Sequence, residues 1–80
     1  MEERLRTLIA EILDLNPDEV LPQTRRADTA TWDSLNHLRL ITAFEDRFAV
    51  ALTMDEIERI QTPAELQAAL DQRGGGTGRT

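Results

Sequence analysis

The sequence predicts an all-α fold, a small three-to-four-helix bundle with a long loop between the first and second helices. Three observations predict it. Apolar residues recur at helical spacing in separate stretches, and no stretch alternates apolar and polar residues for long enough to demand a strand. Eighty residues, 40% of them hydrophobic and 30% charged, make one thin core. With no cysteine to staple a loop-rich chain, regular helices must supply the stability.

In chain order, Leu5, Leu8, Ile9, Ile12 and Leu13 form one helical stripe, and the carboxylates of Glu2 and Glu3 favour a helix start by countering its dipole. The first helix is expected over residues 2–15 and is expected to end at Asn16-Pro17, because the residue before a proline is pushed out of helical backbone. From there to Thr31 runs a polar connection holding Pro22, Arg25-Arg26 and Thr29-Ala30-Thr31, with Val20 and Leu21 as its anchors to the core. It exceeds the usual connection of about 4 to 6 residues, as loops with work to do often are. Asp33 and Ser34 are both good N-caps for a second helix with Ile41, Phe44 and Phe48 on one face and His37, Leu38 and Leu40 on its flanks.

After Val50 and Leu52, Thr53 caps a short acidic turn or helix carrying Asp55, Glu56, Ile57 and Ile60. Thr62, Pro63 and Glu65 then give three start signals together: a cap, a proline at the first helical position, and a glutamate placed to close a capping box. The last helix buries Leu66, Ala69 and Leu70, and Gly74 stops it. Residues 1–73 read as a single domain and residues 74–80 as a flexible Gly-rich tail.

Composition removes several functions. Fifteen acidic against nine basic residues give a net charge of -6 and a pI near 4.6, the opposite of a nucleic-acid footprint. No uncharged apolar run approaches the roughly 20 residues of a membrane span, and the Met1-Glu2-Glu3-Arg4 start is unlike a signal peptide, so a cytoplasmic protein with no membrane partner is expected. One histidine, no cysteine and no tyrosine leave most metal sites and nucleophile-base pairs without their parts. No metal site and no enzyme activity are expected.

Chemistry concentrates at Trp32-Asp33-Ser34-Leu35, where the long loop enters the second helix. A hydroxyl at a helix N-terminus faces free amides and the positive end of the dipole, a favourable place for a phosphoester. The plainer alternative is that Asp33 or Ser34 is only a cap. His37 lies three residues beyond Ser34, but a core this small offers no third group or substrate cavity, and by angle His37 belongs to the apolar stripe as a partly buried core residue. Asp55, Glu56 and Glu58 lack EF-hand spacing and read first as a solvated acidic face and second as a docking surface. Arg25-Arg26 is either an ordinary polar loop pair or, near Ser34, a contact for coenzyme A phosphates.

The whole-chain order of these features resembles the acyl carrier protein family over about residues 3 to 72. The resemblance is carried by Asp33-Ser34-Leu35, by Leu38, Leu40, Ile41, Phe44, Glu45 and Phe48 behind it, and by the Thr62-Pro63 entry to the last helix. It implies that a phosphopantetheinyl transferase esterifies Ser34 with the 4′-phosphopantetheine arm of coenzyme A, whose thiol then carries an acyl group as a thioester. No catalytic residue is implied. Asp33 would set the helix entry, Leu35 would give the arm an apolar contact, and Leu35, Leu38, Arg39, Asp55 and Glu56 would face the acyl-loading and acyl-processing enzymes. A discrete, monomeric carrier is expected.

Two departures from the family pattern bear on this. Trp32 stands where the family commonly has a small residue, usually glycine, and either packs beneath the loop or lies exposed for a partner; burial is favoured for so large an aromatic. Glu45 and Asp46 are balanced by Arg39 and Arg47, so the second helix is neutral where many family members are strongly acidic. Arg39 beside Ser34 suggests a dedicated partner set, in polyketide or other secondary-metabolite biosynthesis rather than fatty-acid synthesis, against the alternative of a merely solvated arginine. Two other readings stay open: an aminoacyl or peptidyl carrier, and an unmodified acidic helical adaptor that binds through Leu35 and Leu38.

Overall fold

A computed structural model describes residues 1–73. The regular structure among the described residues is helical, with no strand: α1 (Glu3–Leu13), α2 (Ser34–Phe48), α3 (Met54–Arg59) and α4 (Pro63–Gln72). The long α1–α2 connection contains two short 3-10 turns, Pro17–Glu19 and Arg26–Asp28, which hydropathy alone does not signal. The expected tail, 74–80, and the expected stop at Gly74 lie outside the described residues.

Helix starts follow their side-chain chemistry. Glu2 caps α1 by accepting from the Arg4 and Leu5 amides, Asp33 caps α2 through the Asn36 amide, and Thr53 and Glu56 close a reciprocal capping box on α3. At α4 the expected box takes a different form. The Thr62 side chain accepts from the Glu65 amide, but the Glu65 carboxylate reaches one residue further back, to the Gln61 N–H at 2.7 Å. Helix ends depart further from expectation. α1 stops at Leu13, before Asn16-Pro17, because Asp14 adopts a left-handed conformation and returns its N–H to Ala10.

The core joins Leu5, Leu8, Ile9 and Leu13 of α1 to Leu40, Ile41, Phe44 and Phe48 of α2 and to Leu66 and Leu70 of α4, with Val20, Trp32 and Ile60 closing it from the connections. Val20 is the buried anchor expected in the loop; Leu21 is not, and stands exposed. The loop is held instead by backbone bonds to the α3–α4 junction, Arg26 N–H to Gln61 C=O at 2.8 Å and Ala64 N–H to Pro22 C=O at 3.0 Å. No helix among the described residues is long and apolar enough to cross a membrane.

α3 is held differently from its neighbours. None of its own residues is fully buried; Ile57 packs partly buried against the core and the adjoining Ile60 lies within it, and polar bonds at its margins add to that hold. Arg73 reaches over from the end of α4 to donate to the Ala51 carbonyl at 2.9 Å and to the Glu56 carboxylate, and His37 of α2 bonds the Ile57 carbonyl at 2.8 Å.

Candidate functional site

The start of α2 is built so that Ser34 has no structural duty of its own. Asp33 is extended and performs both capping tasks: its Oδ1 accepts from the Asn36 amide at 2.8 Å, and its carbonyl accepts the His37 amide at 2.8 Å. Ser34 is therefore the first helical residue, with its side chain exposed. Other hydroxyls along the same loop are engaged or enclosed. Thr29 donates to the Arg25 carbonyl at 2.8 Å, Thr24 to the Glu19 carbonyl at 3.1 Å, and the Thr31 Oγ1 is buried without a partner.

Behind Ser34 a line of side chains runs from the loop into the bundle. Arg26 in the second 3-10 turn points its Nη2 at the Ser34 Oγ, 3.5 Å away, while its Nε donates to the Trp32 carbonyl at 3.3 Å. Trp32 is buried, as its size favours, and its Nε1–H donates to Nδ1 of His37 at 3.0 Å. With Nδ1 accepting, the ring proton lies on Nε2, which donates to the Ile57 carbonyl of α3. Burial holds the imidazole below the ordinary histidine value, with the Ile57 bond opposing and the nearby Arg26 charge assisting. His37 is thus a neutral core residue that ties the loop, α2 and α3 together, and it makes no contact that would activate Ser34.

No glycine is needed before Asp33. The Trp32 N–H closes a turn onto the Thr29 carbonyl at 2.9 Å, and the positive φ angles among the described non-glycine residues fall only at Asp14 and Ala49.

The remaining predicted residues spread around this point. Leu35 is 67% and Leu38 56% exposed, large apolar side chains left in solvent beside the hydroxyl. A shallow groove of about 300 Å³ opens between α2 and α3, lined by Arg26, Ser34, His37, Leu38, Met54, Ile57 and Glu58. Met54, 69% exposed, belongs with them and is a residue that the sequence pattern does not single out. Arg39 is exposed and donates to the Asn36 Oδ1 at 3.2 Å. Asp55 is exposed, but Glu56 is spent internally, its carboxyl held below the usual range by the Thr53 amide and the Arg73 guanidinium. No cluster of acidic or histidine side chains suited to a metal occurs among the described residues.

Fold and site together describe a helical protein with an exposed hydroxyl and an apolar rim at the start of α2. Comparison with known proteins agrees. The family model for the phosphopantetheine attachment site matches residues 3–70. Proteins named acyl carrier protein are similar over most of the chain: one from Phenylobacterium zucineum is 33% identical across 91% of this chain and 92% of its own, and one from Zymomonas mobilis is 31% identical across 88% and 90%. A third, from Caulobacter vibrioides, is 37% identical across 75% and 77%. The chain belongs to the phosphopantetheine-bearing acyl carrier protein family, and 4′-phosphopantetheine is its prosthetic group.

Proposed function

We propose that this protein carries acyl intermediates on a 4′-phosphopantetheine arm attached to Ser34, and that residues 1–73 form the single carrier domain that does so. One observation supports Ser34 above all. It is the only serine in the sequence, and its exposed Oγ stands at the first residue of α2, beside an arginine and relieved of capping by Asp33. On modification the Ser34 oxygen forms a new bond to the phosphorus nearest pantetheine, the pyrophosphate bond to the adenosine half of coenzyme A breaks, and the hydroxyl proton leaves. The bound arm supplies a thiol that holds the acyl group as a thioester.

This chain's own residues present that arm and are read by its partners. Asp33 holds the helix entry, Leu35 and Leu38 give a partner enzyme an apolar footing, and Arg39 and Asp55 set the charge pattern around it. Glu56, already committed to Thr53 and Arg73, contributes by placing α3. The partners are a phosphopantetheinyl transferase and the enzymes that load and process the acyl group. The protein acts as a cytoplasmic monomer without catalytic activity of its own, in polyketide or related secondary metabolism, the pathway resting on the neutral α2 and on Arg39.

Incubation with coenzyme A, Mg²⁺ and a broad-specificity phosphopantetheinyl transferase tests the proposal. The intact mass is expected to rise by one phosphopantetheine; a folded protein that gains nothing would point to an unmodified adaptor.

A further inference from the structure

We infer that Arg26 is a phosphate-holding residue in the loaded protein, its guanidinium binding the phosphodiester that joins the arm to Ser34. This rests on Ser34 being the attachment point. Arg26 Nη2 already lies 3.5 Å from the Ser34 Oγ, and the charged phosphodiester oxygens would stand just beyond that atom. Arginine matches such oxygens with paired donors, forming charge-assisted bonds shorter than the contact present before attachment.

The guanidinium is also held and available. Its Nε is fixed on the Trp32 carbonyl, and the backbone beneath it is fixed by the Arg26 N–H bond to Gln61. Trp32 is in turn held by burial and by His37. Its Nη2 is left facing Ser34. In a chain so rich in carboxylates, Arg26 forms no ion pair among the described residues, whereas its neighbour Arg25 pairs with Asp28 at 3.4 Å. Asp33 is turned back to cap α2, and Glu58, which lines the same groove from α3, forms no ion pair with Arg26. Arg26 is half-buried, so its attraction for an anion is screened less than that of a fully exposed arginine.

A four-species cycle separates phosphate binding from the purely structural bond to Trp32. Urea unfolding is measured for unmodified and phosphopantetheinylated protein, each as wild type and as Arg26→Gln. Loss of the Trp32 bond weakens both forms of the variant equally and cancels in the cycle. Phosphate binding does not cancel: the unfolding constant is expected to show a coupling of about two- to fivefold between Arg26 and the arm at low salt, shrinking as salt is added and partly restored by Arg26→Lys. In wild type alone, the Arg26 side-chain N–H resonances should shift on attachment, together with a ³¹P shift that differs in Arg26→Gln. A loaded protein with no coupling and unmoved Arg26 resonances would overturn the role of Arg26 and leave Ser34 standing. Failure of folded wild type to accept the arm would overturn both.

Discussion

Trp32 and His37 show how much of this site is decided by single atoms. The indole N–H occupies the one lone pair of the His37 ring, so protonating Nδ1 would set two donors against each other in a buried place. Burial is the largest part of the penalty on the charged ring, the Ile57 bond opposes it and the Arg26 charge adds to it, while Glu58 lines the same groove. His37 therefore has a folded pKa below its unfolded value of 6.5. For a base this means that the unfolded chain binds more protons inside the window between the two values. The His37 contribution is complete above pH 6.5 and is lost as pH falls through the folded pKa. Urea midpoints between pH 8 and pH 5 should fall on acidification (about the range of histidine titration). Trp32→Phe, which removes the opposing donor, should lower stability at neutral pH by about 1–3 kcal/mol and flatten the acid slope. A slope unchanged by the substitution would exclude the clash as its cause. The helix entry at Asp33-Ser34 was legible in the sequence from its cap chemistry. Arg26 was legible only as half of the Arg25-Arg26 pair; that Arg26 faces Ser34 while Arg25 pairs with Asp28 follows from the fold, in which the Arg26 backbone bonds Gln61.

At the scale of elements, starts and stops differ in how plainly the sequence states them. Starts are written in short-range chemistry: Asp33, Thr53 and Thr62 each accept an amide from three residues on, within reach of local inspection. Stops are not, because the residues that usually mark them are missing. All four glycines lie beyond residue 73, so α1 and α2 end on Asp14 and Ala49 with φ of 56° in each. An alanine there bears a steric cost that glycine avoids. Ala49→Gly should consequently stabilise the domain by about 0.5–1 kcal/mol, the relief of strain exceeding the entropy glycine adds to the unfolded chain. Chemical denaturation would measure it, and a loss of stability would mean that the α2 C-terminus is unstrained. The position of α3 was hidden for a related reason. A helix with only Ile57 partly buried against the core is placed in good part by Arg73 and His37, residues far from it in the chain.

Across the whole molecule, the apolar stripes of α1, α2 and α4 suffice to specify one core, and this is why the bundle was legible from spacing alone. The stripe logic fails only where a connection does the packing: Leu21 is outside and Val20 inside, and only the second of these closes the core. The result is a bundle that leaves Leu35, Leu38 and Met54 exposed around the hydroxyl at the Ser34 end of α2. Recognition by partners then depends on charge at that end. If Arg39 excludes fatty-acid pathway enzymes, a fatty-acid pathway transferase should load acyl groups onto holo Arg39→Glu about tenfold faster than onto holo wild type, a like-charge penalty removed. Equal and efficient loading of both would contradict a specialised pathway.

The most direct measurement is fragmentation mass spectrometry of the protein after transferase treatment, with a folded Ser34→Ala variant alongside. The added phosphopantetheine should map to the peptide containing Trp32-Asp33-Ser34-Leu35, and the variant should gain no mass. An arm found on another residue, or modification of Ser34→Ala to the same extent as wild type, would contradict the assignment of Ser34 as the attachment point.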